Sequence, residues 1–186
     1  ATLATTTSTS VAPTSQCTGG IPPSEVSGFL DVHNKLRTVI STGNYVAKGK
    51  LMPAAKTPIA NLTWDCSIEA SAQAVADTCV FESSQDRDNL GETLFSRSSS
   101  GGVSIVGMGV VASEQWESKF QQFGWSDVKF TMEVVTSGVG HATQMAWADS
   151  TQIGCGIKLC QSNTQVIVVC QYRNQGNFID RNVYEP

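Results

Sequence analysis

The sequence predicts a disulfide-stabilised α+β domain, on three observations. Apolar residues recur at helical spacing in three early segments, strand-like runs crowd the last third, and six cysteines spread from Cys17 to Cys170 without a CxxC pair. Runs of helix followed by runs of strand are an α+β pattern. An even cysteine set in a chain this size favours three bridges and an oxidising compartment.

The 186 residues, 40% hydrophobic and only 15% charged, suit one packed domain rather than a disordered chain. A formal charge of −4 without any basic stripe argues against a nucleic-acid partner. No apolar run approaches the roughly 18 residues of a membrane span. Asn61-Leu62-Thr63 is the one N-glycosylation sequon and agrees with export. The chain begins at Ala1 with no signal peptide, as expected of the mature form of a secreted protein.

Residues 1–16 are mostly Thr, Ser and Ala, too polar to bury themselves, and are expected to form a flexible arm before a folded domain over 17–186. The first helix is predicted over 24–41, capped by Ser24 and ended before Gly43. Val26, Phe29, Leu30, Leu36 and Ile40 form its apolar face, and His33 lies within that face. A second helix is predicted over 65–79 with Asp65 as its cap, burying Ile68, Ala72, Val75, Ala76 and Cys79. A third is predicted over about 104–123, with Val106, Val110, Trp116, Phe120 and Phe123 inward; Gly107 and Gly109 weaken its first turns. Ser98 to Gly102 is a loop, not a phosphate cradle, because no Gly-Lys-Ser/Thr follows.

Val128, Phe130, Met132 and Val134 alternate with polar residues, which predicts a strand. Two more strands, 152–159 and 165–172, flank the polar turn Gln161-Ser162-Asn163-Thr164. If they pair as a hairpin, facing residue numbers sum to about 325, which sets Cys155 opposite Cys170 at bridging distance. Cys79, at the end of the second helix, could then reach Cys160. That bridge closes a loop of about 80 residues, worth roughly 4 kcal/mol in the chain-entropy model. Cys17 and Cys66 remain, either bridged to each other or with Cys17 paired between chains.

The chain's only two histidines, His33 and His141, both fall in compact motifs. His33-Asn34-x-x-Arg37, Asn89-Leu90-Gly91-Glu92, Gly140-His141-x-Thr143-Gln144-Met145-x-Trp147, and Cys170-Gln171-Tyr172 with Gly176-Asn177 together resemble the CAP superfamily. This group comprises the cysteine-rich secretory, antigen-5 and pathogenesis-related 1 proteins. Trp64 to Glu69 and Phe123-Gly124 further resemble the activation-associated secreted proteins of parasitic nematodes.

The resemblance, which spans about residues 17–186, implies a three-layer α–β–α sandwich around a central antiparallel sheet. It also implies an open cavity holding two histidines and two glutamates, of which His33, Glu92 and His141 match three. Lys119 stands where the second glutamate is usual; Glu117 and Glu114 are turned about 160° and 140° away on the helix. Ala142 replaces an aromatic ring, which should open space beside His141, and Asn174 replaces a proline. Thr143, Gln144 and Trp147 are expected to hold the His141 segment against the sheet.

A lysine near the histidines disfavours a divalent ion, so no cofactor is required and any Zn²⁺ on His33 and His141 should be weak and exchangeable. The resemblance thus implies a secreted, host-directed nematode factor, monomeric or homodimeric, that binds rather than catalyses. Its expected partner is an extracellular host protein, or a small apolar ligand such as a sterol or fatty acid in a groove between helices. Two alternatives stand beside this: a metal-assisted hydrolase or protease using His33, Glu92 and His141, and a ligand-free scaffold antigen. The sequence holds no HExxH or GxSxG motif and no obvious nucleophile, which weighs against the hydrolase.

Overall fold

A computed structural model of the chain describes residues 17, 20–125 and 127–186, and the arm predicted over 1–16 lies outside the described residues. Helix α1 runs Pro23–Ser41. It begins one residue before the predicted Ser24 cap, because Pro23 takes the first helical position, where a missing N–H costs nothing. A small hairpin follows, β1 (Val46–Ala47) with β2 (Lys50–Leu51). Strand β3 (Thr63–Trp64) leads into Asp65, whose carboxylate accepts from the Ser67 and Ile68 amides at 2.9 and 3.0 Å. That cap starts α2 (Cys66–Asp77) as the sequence predicts. Strand β4 (Gly91–Ser98) and helix α3 (Met108–Phe123) follow.

Helix α3 starts later than predicted. Gly107, in the left-handed region at φ 78°, interrupts the helix, and the Glu25 carboxylate caps the new start. It accepts from the Gly107 and Gly109 amides, both at 2.8 Å, placing negative charge at the helix's positive end. Val106, Val110 and Phe123 consequently face outward, at 78%, 38% and 48% exposure, while Trp116 and Phe120 are buried.

The predicted strand over 128–134 is also corrected. Only β5 (Lys129–Phe130) is extended, and helix α4 (Met132–Ser137) begins where the Thr131 hydroxyl caps the Val134 amide. Val128, Phe130 and Val134 are buried, Val134 from the helix, whereas Met132 is exposed. Helix α5 (Gly140–Ala146), strands β6 (Gln152–Cys160) and β7 (Gln165–Arg173), and β8 (Arg181–Asn182), which pairs with β5, complete the chain.

The main sheet has the order β3-β6-β7-β4. Strands β6 and β7 pair antiparallel with Cys155 opposite Cys170, and β4 pairs antiparallel with β7. The short β3 runs parallel to β6, so the sheet is not antiparallel throughout. Alternation along β7 separates two packed faces. Val166, Val168, Cys170 and Tyr172 join a core with Phe29 of α1, Trp116 of α3 and Met145 of α5. Ile167 and Val169 instead pack on Ala72 and Ala76 of α2. Helices on both faces of one sheet form the expected layering. Bridges join Cys17 to Cys66, Cys79 to Cys160 and Cys155 to Cys170, so the inter-chain alternative for Cys17 gives way to an internal bond.

Candidate functional site

The His-Asn-x-x-Arg segment of α1 is a set of structural ties. His33 is fully buried between the Phe29 carbonyl, 2.8 Å from Nδ1, and the Tyr172 hydroxyl, 2.9 Å from Nε2. A carbonyl only accepts, so Nδ1 carries the proton; Nε2 of the neutral ring then accepts from Tyr172, and Tyr172 accepts from Thr93 Oγ1 at 3.0 Å. Burial drives the His33 pKa down to about 3, with the Arg37 charge adding to the effect. Asn34 pairs with the backbone of Leu62 through both amide atoms. Arg37, also fully buried, donates to the carbonyls of Met145 and Trp147 at 3.0 Å, Ser150 at 2.8 Å and Ala60 at 2.7 Å. Its burial lowers the guanidinium to about 10.

Helix α5 is fixed just as tightly, by the residues that surround His141 in sequence. Thr143 donates to Asn177 Oδ1, and Asn177 returns a bond to the Gly140 carbonyl, each 2.7 Å. The Gln144 amide bridges the Gly176 N–H at 2.8 Å and the Ser150 hydroxyl at 3.0 Å. Gly91 at the start of β4 has no side chain because a Cβ there would collide with the Gln144 amide. The motifs, scattered in sequence, thus interlock as one frame around α5. Thr143, Gln144 and Trp147 are all buried in it.

What the frame presents is His141. Its ring stands edge-on to Trp116 at 6.3 Å, and His33 stands edge-on to the same indole at 6.3 Å, so Trp116 lies against both imidazoles. The Trp116 indole N–H is pinned to the Leu94 carbonyl at 2.8 Å. On the His141 side opens a pocket of about 520 Å³, walled by Phe81, Phe95, Val111 and Trp116 and fringed by Arg97, Lys119 and His141. Positions 111, 115 and 119 share one face of α3, and the β4 register puts Phe95 and Arg97 on one face of the sheet. Burial, with Lys119 second, lowers the His141 pKa.

Residues 30–172 match the family model of the CAP, or cysteine-rich secretory, proteins. The chain belongs to the CAP family. It is 30% identical over 177 residues to venom allergen 3 of Solenopsis invicta, which covers 89% of this chain and 74% of that protein. It is 32% identical over 177 residues to the Ancylostoma secreted protein of Ancylostoma caninum, of which it spans only 40%. The solved structure of BmVAL-1 superposes with a TM-score of 0.86 at 32% identity, covering 91% of this chain and 86% of that one. The crystal structure of NaASP2 with Zn²⁺ superposes at 0.84 and 31% identity, covering 91% and 90%.

In this CAP chain the three residues expected to share a cavity occupy three settings. His141 lines the pocket; His33 is sealed behind Trp116 with both nitrogens bonded. Glu92 leaves β4 on the opposite side from Thr93 and Phe95. Its buried carboxylate accepts from the Ser84 amide and hydroxyl at 2.9 and 2.6 Å and from Gln171 at 2.9 Å, with Arg87 3.9 Å away. Donors already engaged in this way do not fit a divalent ion, and among the described residues no group of three or more His, Cys, Asp or Glu side chains could hold one. Glu117 turns away as the helix geometry predicts, accepting from the Tyr45 hydroxyl at 3.2 Å. Ala142, within α5, is fully buried and does not itself line the pocket. Asn174 stands in for a proline by donating to the Asp149 carbonyl at 3.1 Å. Sequence inspection missed Arg97 and Phe81, because only the fold brings them beside Lys119.

Proposed function

We propose that this CAP domain is a secreted nematode-type factor that acts on its host by binding a partner and not by catalysis. The observation that carries this reading is the company His141 keeps. Acid–base hydrolysis needs a base beside a nucleophile or a carboxylate, and metal-assisted hydrolysis needs several convergent donors. His141 instead has Lys119 and Trp116 as its pocket neighbours. Kinship with the Ancylostoma secreted protein and with the NaASP2 fold supports the nematode and extracellular assignment. The three bridges suit an oxidising medium, and the exposed Asn61 is accessible to a glycan. Because no cysteine is free, a homodimer, if formed, is non-covalent.

NaASP2 was crystallised with Zn²⁺. By analogy, this chain is expected to hold zinc only weakly, through the His141 imidazole. The test pairs native mass spectrometry of the unreduced, chelator-free protein with a panel of peptide and ester substrates. A bound small molecule or partner, without turnover, is the expected result. Hydrolysis that disappears in His141→Ala overturns the binding reading.

A further inference from the structure

We propose that the pocket beside His141 is a binding site for a small aromatic carboxylate. The inference rests on the binding reading above and names the ligand class that this site takes. Two independent features of the lining point to it.

The first is charge. Among the described residues, Arg97, Lys119 and His141 are the titratable side chains on the pocket and no Asp or Glu lines it, although the protein as a whole carries a net charge of −4. Among the described residues Arg97 and Lys119 take part in no ion pair, and the Lys119 ammonium sits 5.7 Å from the Phe123 ring centroid instead. Two cations without carboxylate partners at one concavity leave an anion as their complement. A planar guanidinium matches a planar carboxylate in particular, through paired N–H donors.

The second is the wall. Phe81 and Phe95 give aromatic surface, with Phe81 53% exposed and so open to contact, and the buried Trp116 closes the pocket behind them. Aromatic rings favour offset or edge contacts with other rings, so an aromatic body has more to gain here than a flexible chain. At about 520 Å³ the pocket lies within the range that small-molecule sites occupy. The ring is expected to lie among Phe81, Phe95 and Trp116, with its carboxylate toward Arg97 and Lys119.

The two histidines make the test clean, since His141 faces the pocket and His33 is sealed. The protein is titrated with indole-3-acetate, tryptamine and 3-methylindole, which share one ring and differ in charge, and both imidazole C–H signals are followed by NMR. Indole-3-acetate is expected to move the His141 signal and leave His33 in place, while tryptamine moves neither. Lys119→Glu is expected to weaken the acid by roughly tenfold or more. An unchanged His33 signal in that variant certifies its fold. The proposal is overturned if the acid leaves His141 unmoved, if tryptamine or 3-methylindole binds as well as the acid, or if Lys119→Glu binds it equally. Such a failure without hydrolytic turnover removes only this ligand class, whereas His141-dependent turnover removes the binding reading itself.

Discussion

The phenol of Tyr172 donates to the imidazole of His33 at 2.9 Å, across the interface between the central sheet and α1. Both groups are fully buried, so neither has water to fall back on. Tyr172→Phe therefore leaves His33 Nε2 without its donor and Thr93 without its acceptor. The expected cost is about 1–3 kcal/mol in urea unfolding. A midpoint unchanged from the parent chain would refute this account of the buried pair.

The same pair makes stability depend on pH. Burial lowers the folded His33 pKa from 6.5 to about 3, so the unfolded chain binds more protons between those values. Stability from this group is complete above about pH 6.5 and is lost progressively as pH falls toward 3, on the order of 5 kcal/mol at the limit. His141, also lowered, adds to the same slope. Urea unfolding at pH 7.0 and 4.5 should show the loss, and His141→Gln should retain most of it. A flat profile, or one abolished by His141→Gln alone, contradicts the assignment to His33.

Arg37 holds four backbone carbonyls from two separate segments within 3.0 Å. Among the described residues no carboxylate pairs with it, so removing the guanidinium strands several buried acceptors at once. Arg37→Ala is expected to destabilise by about 3–5 kcal/mol, comparable to breaking a buried charge network. Arg37→Lys should recover only part of this, since one ammonium cannot reach both segments. Thermal unfolding of the two variants tests the ordering; full recovery in Arg37→Lys would mean that charge matters more than reach.

Much of this molecule was legible before folding because its signals were local. The Asp65 cap, the α1 periodicity and the β6–β7 register each depend on neighbours within a few residues, and the register alone paired Cys155 with Cys170. The errors arose where a distant group decided. Gly107 and Gly109 warn locally that the first turns are weak, but the start of α3 is fixed by Glu25 from 82 residues away. The Thr131 cap turned an alternating stretch into α4. The site was harder still. His33 sits in a recognisable motif, yet the motif's work is to bind Tyr172, and only strand alternation reveals that Glu92 leaves the sheet on the other side.

Those placements also govern metal binding. His33 can ligate an ion only by giving up Tyr172 or the Phe29 carbonyl, and Glu92 only by giving up Ser84 or Gln171. Zinc titration is expected to perturb the His141 NMR signal alone, with weak affinity that His141→Ala removes. Stoichiometric zinc that shifts both histidines would require the α1–β7 contact to open, and would contradict the geometry.

Lys119 is the residue through which the pocket tunes His141. Burial is the larger cause of the lowered imidazole pKa, and the neighbouring ammonium is the second. Lys119→Gln removes the charge while keeping a long polar side chain, so the His141 pKa should rise part of the way toward that of free imidazole. Lys119→Glu should raise it further, since a carboxylate stabilises the imidazolium. His33 should hold its low value in both variants, because burial and, after it, the Arg37 charge keep it low. NMR pH titration of the two imidazoles separates these effects within one sample. A His141 pKa that ignores the charge at position 119 would place the ammonium too far from the ring to guard the pocket, and would remove the basis for expecting weak metal binding there.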